Sequence, residues 1–184
     1  LPVTVSVVLN DHVLTFLNRA VKIELMPIGV NEIIAYYRDA FTNMNVVLDK
    51  EQIVMAAQKT GGSPYMMQLI GHYITLHTTN DGSISPQDYD LAIASAESDF
   101  KNDICKTTLA ALSDRDIDYL TAMTKDDIDS ELSQISERLG VTSAYVQTYK
   151  RRLISAGIIE QHRRGKVRFA VPYLADYLRE NEGY

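Results

Sequence analysis

Polar residues that can cap a helix precede most of the apolar stretches between residues 49 and 153. Asp49, Ser63, Ser85, Ser113 and Thr142 each stand before a segment in which apolar side chains recur every three or four positions. A side-chain oxygen at the N-cap accepts a hydrogen bond from a backbone N–H of the first turn, and the spacing places the apolar side chains on one helical face. The sequence therefore predicts a mainly α protein built from short amphipathic helices.

The last third of the chain predicts a different order of elements. A helix begins at Ser113, a short helix ends at Gly140, and another helix begins at Thr142. Two alternating, β-branched segments then flank the turn RRGK, residues 163–166, which indicates a short β-hairpin. A final helix is expected from Pro172. Helix, helix-turn-helix, hairpin and helix is the order of a winged-helix domain, so this fold is predicted here.

These patterns divide the chain into three segments. Residues 1–26 contain two strand-like stretches, which are too few for a stable sheet and are expected to be the last strands of a larger domain. Residues 27–106 are predicted to form a small helical bundle. Residues 107–184 are predicted to form the winged-helix domain.

Composition and motifs exclude several classes of protein. No run of about 18 apolar residues is present, so a membrane span is not expected. Cys105 is the only cysteine, which excludes an internal disulfide and a cysteine-based zinc cluster and agrees with a cytoplasmic location. The four histidines have no metal-ligand spacing. No phosphate loop of the form G-x-x-x-x-G-K-[ST] and no catalytic pair or triad occurs, so this chain alone is not predicted to be an enzyme.

The segment from residue 148 to residue 168 is basic, although the whole chain has a net charge of -6. In a helix-turn-helix the second helix enters the major groove, so its exposed face is expected to read base edges and the hairpin is expected to contact phosphates. The predicted DNA-binding residues are Gln147, Lys150, Arg151, Arg152, Arg163, Arg164 and Lys166. A winged helix used for protein contacts is the alternative, because the acidic helices before it would repel a phosphate backbone.

Two segments of the first half together resemble a known family. They are FLNRAVKIELMPIGVNEIIAYYRDAF, residues 16–41, and IVMAAQKTGGSPYMMQLIGHYI, residues 53–74. The pair is similar to the C-terminal part of AAA+ or STAND-type ATPases of bacteria and archaea, in which a helical lid and a winged helix follow the ATPase core. The resemblance therefore implies a lid-like helical bundle for residues 27–106.

The resemblance also implies roles for individual residues. Gly62 and Pro64 match the glycine-proline turn that in this family lies against the nucleotide near its adenine. Arg19 matches an arginine that in many members lies near the γ-phosphate, where it acts as an arginine finger or sensor. Many AAA+ lids carry a second sensor arginine after the glycine turn, whereas this chain reads SPYMMQ there. Sensing of the γ-phosphate by the lid is therefore not expected.

Two functions follow as expectations. The resemblance implies a non-catalytic regulatory fragment that couples the nucleotide state of a missing core to a winged helix, which binds DNA or protein. No cofactor is expected in this chain, since ATP and Mg²⁺ would bind to the core, which would also be the fragment's partner. The alternative is a winged-helix transcriptional regulator in which residues 113–184 read DNA and the helical part is an effector or dimer module.

Overall fold

The computed structural model describes residues 26–181, which form two compact units. The N-terminal unit consists of residues 26–103 and the C-terminal unit of residues 104–181. The two strands predicted before residue 26 lie outside the described residues. Each unit is built mainly from helices, as the capping and spacing patterns predict.

Four helices form the N-terminal unit. They are α1 (Val30–Asn43), α2 (Lys50–Lys59), α3 (Pro64–Leu76) and α4 (Pro86–Phe100). Helix α1 packs on α2, and α3 packs on α4. The buried side chains that form its core are Ile33, Tyr37, Phe41, Val46, Ala56, Ala57, Met66, Ile70, Ile74, Tyr89, Ala92, Ile93, Ala96 and Phe100.

The N-terminal ends of α2, α3 and α4 confirm the predicted caps. The side chains of Asp49, Ser63 and Ser85 each accept a hydrogen bond from the backbone N–H three positions further on. Such a cap contributes about 1 kcal/mol to the stability of a helix. Pro64 occupies the first turn of α3, where its missing N–H costs no hydrogen bond.

The start of α1 has no side-chain N-cap. Gly29 is the N-cap, and its N–H donates to Oε2 of Glu32 at 3.1 Å. The Glu32 carboxylate, in the first turn, thus satisfies the N–H of the N-cap residue, whereas glycine has no side chain that could accept a hydrogen bond from the first turn. On the inward side of α1, Ile33 is buried and Ile34 is only half-buried.

The C-terminal unit adds a small sheet to its helices. A π-helical turn, Lys101–Cys105, includes the division between the two units at residue 103. The elements of the C-terminal unit after it are α5 (Lys106–Ala110), α6 (Asp114–Met123), β1 (Ser130–Glu131), α7 (Leu132–Leu139), α8 (Ser143–Ser155), β2 (Ile159–Arg163), β3 (Lys166–Phe169) and α9 (Leu174–Glu180). The strands form an antiparallel sheet in the order β1-β3-β2. The predicted hairpin is therefore β2 and β3, and β1 is a third strand that the sequence did not predict.

The helix-turn-helix segment ends and begins where the sequence indicates. Gly140 terminates α7 in the left-handed conformation at φ +62°, and the Thr142 side chain accepts a hydrogen bond from the N–H of Tyr145 at the start of α8. Val146 and Leu153 on α8 are buried. The core of this unit also contains Tyr119, Leu120, Met123, Ile135, Ile158, Ile159, Val167, Leu174 and Leu178.

The last helix begins two residues later than predicted. Leu174, not Pro172, is its first residue, and Tyr173 before it adopts a left-handed φ of +60°. None of the helices in the described part of the chain is both long and apolar enough to cross a membrane.

Candidate functional site

The glycine-proline turn before α3 lies against the segment that leads into α1. The N–H of Ile28 donates to the carbonyl oxygen of Gly62 at 3.0 Å. Gly62 has φ +76°, and a Cβ atom there would lie 2.8 Å from Cβ of Pro27 and 3.0 Å from the carbonyl oxygen of Ile28. Only glycine fits this approach without strain. The structure thus brings together the two segments whose sequences resemble the ATPase family.

Hydrogen bonds fix the conformation of this turn. The Thr60 hydroxyl is buried, donates to the carbonyl oxygen of Ala57 at 2.7 Å and accepts from the N–H of Gly62 at 3.1 Å. Ser63 then caps α3, and Pro64 is exposed. The turn therefore offers a rigid, partly exposed backbone surface to any molecule that approaches it. Arg19, the other residue singled out by the resemblance, lies outside the described residues.

Three of the predicted DNA-binding arginines are exposed and make no ion pair among residues 26–181. Arg151 lies on the solvent face of α8, next to the exposed Gln147. Arg163 ends β2, and Arg164 follows in the turn of the hairpin. We call Arg151, Arg163 and Arg164 the unpaired arginines. They can bind a polyanion without the loss of an ion pair to another of the described residues.

The other predicted cations interact with neighbouring side chains. Arg152 Nη2 lies 2.9 Å from Oδ2 of Asp116, and Lys166 Nζ lies 3.1 Å from Oε1 of Glu131. Lys150 Nζ donates to Oε1 of Gln161 at 2.7 Å. The basic segment of the sequence therefore contains two kinds of cation in the structure: some interact with side chains of the same unit, and others are exposed to solvent without an ion pair to a described residue.

The Asp116–Arg152 pair is a feature that the sequence analysis missed. The Asp116 side chain is fully buried, and its Oδ2 atom also accepts hydrogen bonds from the N–H and the hydroxyl of Ser113. The sequence analysis assigned Arg152 to DNA contact because it lies in the basic segment. It missed the ion pair because spacing along one helix does not reveal a partner on another helix. In the structure Arg152 joins α8 to α6.

The pKa of Tyr119 is raised well above its ordinary value because the ring is buried. Among the described residues, no group forms a hydrogen bond with its hydroxyl. Tyr119 therefore acts as a core residue that stays neutral at physiological pH.

The described histidines and the cysteine give no metal site. Within residues 26–181, no group of three or more His, Cys, Asp or Glu side chains is close enough to bind a metal ion. Cys105 is buried, and its Sγ atom lies 3.6 Å from the carbonyl oxygen of Pro172. His162 pairs with Asp129 through Nδ1 at 2.8 Å. These side chains have structural contacts, while His12 lies outside the described residues.

Comparisons with known proteins give a limited result. Residues 102–178 match a family that is described only as a domain of unknown function, DUF8462. No curated protein matches the chain. Two solved structures of mutants of RuvB from Thermotoga maritima are similar, each with 18% sequence identity over 82% of this chain, and their TM-scores are 0.34 and 0.35. The match covers 49% of each RuvB chain, so this chain spans about half the length of those structures.

Proposed function

We propose that this chain is the helical lid and winged helix of an AAA+ or STAND-type ATPase, and that it transmits the nucleotide state of a preceding core to the winged helix. The observation that carries the proposal is the contact between Gly62 and the Pro27–Ile28 segment. This contact unites the glycine-proline turn with the chain that would arrive from the core. It is supported by the paired sequence segments that resemble this ATPase family.

In this mechanism the turn before α3 is the surface that contacts the nucleotide. Gly62 lets the backbone approach closely, and Pro64 begins α3 without an unsatisfied N–H. ATP and Mg²⁺ would be bound by the phosphate loop of the core. Because the turn is joined to Ile28 by a backbone hydrogen bond, a nucleotide contact there would favour one position of the lid over others. A ligand shifts a conformational population only through such a differential contact.

The proposal predicts that Gly62→Ala weakens nucleotide binding in a polypeptide that joins a phosphate-loop core to this chain. An added Cβ collides with Pro27 and Ile28, and the positive φ adds strain of about 1–3 kcal/mol. We expect ATP affinity, measured by isothermal titration calorimetry, to fall by about tenfold, which corresponds to about 1.4 kcal/mol. The chain 1–184 alone should bind ATP weakly or not at all.

Gly71→Ala is the matched control for this measurement. Gly71 lies inside α3, and a Cβ there would meet only the Tyr37 ring at an ordinary 3.8 Å. This variant should leave ATP affinity unchanged. An equal loss in both variants, tight ATP binding by the chain alone, or a natural polypeptide without a phosphate loop would each contradict the proposal.

A second function, binding of duplex DNA by the C-terminal unit, is favoured by the three unpaired arginines. Helix α8 would enter the major groove with Gln147 and Arg151 toward base edges, and Arg163 and Arg164 on the hairpin would contact phosphates. This assignment uses cations that have no competing carboxylate among the described residues. It also agrees with the order of helices and strands that is typical of a winged helix.

We predict that Arg151→Ala and Arg163→Ala each weaken binding to a fluorescent duplex about threefold to tenfold at low salt. Loss of a phosphate contact should also reduce the salt dependence of the affinity by about one unit of slope. Fluorescence anisotropy at two salt concentrations measures both quantities. Arg168→Ala is the control, because Arg168 already pairs with Glu160 at 2.5 Å.

Absence of binding at low salt would contradict the DNA proposal and favour the winged helix as a protein-binding surface. Equal weakening by Arg168→Ala would show a non-specific effect of total charge instead of a surface formed by the unpaired arginines. Neither outcome bears on the ATP measurement, so the two proposed functions are tested separately.

A further inference from the structure

The tip of the β2–β3 hairpin carries two of the three unpaired arginines. Arg163 ends β2, Arg164 follows it in the turn, and Gly165 adopts φ +77° before β3 begins at Lys166. Both arginines are exposed. Binding that has to order a mobile tip loses affinity to conformational entropy. The usefulness of these arginines to a ligand therefore depends on what fixes the backbone that carries them.

A glutamine on β2 supplies one such constraint. The Gln161 side chain donates from Nε2 to the carbonyl oxygen of Arg163 at 3.2 Å, and its Oε1 atom accepts from Nζ of Lys150 on α8 at 2.7 Å. An ammonium group only donates and a carbonyl oxygen only accepts, so the two partners define which end of the amide is the oxygen. This one side chain therefore connects α8 to the peptide group that joins Arg163 to Arg164.

An irregularity of the strand pairing lies at the same place. Gln161 is opposite Val167 and Arg163 is opposite Lys166, so His162 is an extra residue on β2. Such a bulge disrupts the ladder of backbone hydrogen bonds and redirects the side chains beside it. The bulge thus sets the direction of the end of β2, and side-chain contacts there help to keep that direction.

Two further contacts hold the bulge and the turn. Nδ1 of His162 lies 2.8 Å from a carboxylate oxygen of Asp129, and the carbonyl oxygen of Gly165 accepts from the N–H of Leu132 at 3.0 Å. These contacts fix the extra residue and the last residue of the turn. Gln161 acts between them, at the carbonyl oxygen of Arg163.

We propose that Gln161 is a positioning residue for DNA binding, which holds the hairpin tip against α8 and so presents Arg163 and Arg164 together with Arg151. This inference rests on the second proposed function, the binding of duplex DNA by the C-terminal unit. Phosphates follow one another at fixed intervals along a duplex, so cations on two elements bind best when their separation is set before binding. Lys150, which the sequence assigns to DNA contact, contributes here by holding Gln161.

Gln161→Met tests this role in the full chain, because methionine keeps an unbranched side chain of similar length and removes both hydrogen-bonding groups. We expect the affinity for a fluorescent duplex at low salt, measured by anisotropy, to fall about threefold. Gln68→Met is the control, since Gln68 is exposed on α3 in the other unit. That variant should leave the affinity unchanged.

A double-mutant cycle separates positioning from direct contact. If Gln161 acts through the two arginines of the tip, Gln161→Met should change the affinity by less than about 1.5-fold in a chain that also carries Arg163→Ala and Arg164→Ala. A residue that contacts DNA itself, or that supports the fold of the whole unit, would cost as much in this background as in the unmodified chain. An equal loss in both backgrounds would overturn the proposal, as would no loss in either.

Backbone order parameters from NMR relaxation give a measurement without DNA. In the free chain, Gln161→Met should lower the order parameters of the Arg164 and Gly165 amides from about 0.85 toward about 0.6, while those of α8 stay unchanged. Unchanged values at the tip would overturn the role of Gln161 even if DNA binds. Absence of DNA binding by the unmodified chain would instead contradict the second proposed function, and with it any role of Gln161 in DNA binding, whatever the order parameters show.

Discussion

Replacing Gly82 by alanine is expected to destabilise the N-terminal unit by about 3–5 kcal/mol. Gly82 is buried in the turn between α3 and α4 and has φ +87°. A Cβ atom there would lie 2.0 Å from the carbonyl oxygen of Asn45. That oxygen belongs to the backbone of another turn, so it cannot swing away as a side chain would. A shift of either turn that relieved this collision would also disturb the hydrogen bond from the N–H of Val47 to the Gly82 carbonyl oxygen, at 2.7 Å.

Native-state hydrogen exchange measures this loss in each unit separately. Protection of the amides in residues 26–103 should fall, while protection in residues 104–181 should change little. Gly140→Ala is the control for backbone strain alone, because Gly140 also has a positive φ of +62° but a Cβ there would meet nothing within 4 Å. That variant should cost about 1–2 kcal/mol in the C-terminal unit. A loss in Gly82→Ala no larger than this would show that the close approach to Asn45 contributes nothing.

The helices were predictable because their signals are local. Ser85 caps α4, and the apolar residues that recur after it at helical spacing are buried: Tyr89, Ala92, Ile93, Ala96 and Phe100. A cap and its helix face lie within a few residues of each other, so the sequence contains both. The same reason explains the correct prediction of the turn at Gly140 and of the β2–β3 hairpin.

The features that the sequence did not reveal depend on residues far apart in the chain. β1 is two residues long, and it is defined only by the pairing of Ser130 with Val167 and of Glu131 with Lys166. A two-residue strand has no alternating pattern to recognise.

The candidate DNA surface was predicted as a set of residues but not as a set of contacts. Helical spacing places Arg151 and Arg152 near each other on α8, and both were assigned to DNA. Only the tertiary structure shows that Arg152 pairs with a buried carboxylate while Arg151 faces solvent without an ion pair among the described residues. Neighbouring arginines of equal charge are thus expected to have different roles.

Arg152→Ala is expected to destabilise the C-terminal unit by about 2 kcal/mol. The Asp116 side chain is fully buried, and Arg152 Nη2 at 2.9 Å is its cationic neighbour. Without Arg152 the carboxylate stays buried with hydrogen bonds from Ser113 alone on its Oδ2 atom, and its Oδ1 atom has no hydrogen-bond donor in the described range. The expected cost is below that of a fully buried pair because the Arg152 side chain is 57% exposed.

Thermal and urea unfolding of the full chain measure the loss of stability caused by Arg152→Ala. Native-state hydrogen exchange in residues 104–181 then shows whether the loss is in the C-terminal unit. Arg151→Ala is a matched control, since it removes the same charge from the adjacent exposed position and should change stability by no more than about 0.5 kcal/mol. A double-mutant cycle with Asp116→Ala separates the ion pair from the capping role of Asp116 and should give a coupling of about 1–2 kcal/mol. Equal stability of the two arginine variants would mean that Arg152 does not brace α8 against α6 and that its charge is as available to DNA as that of Arg151.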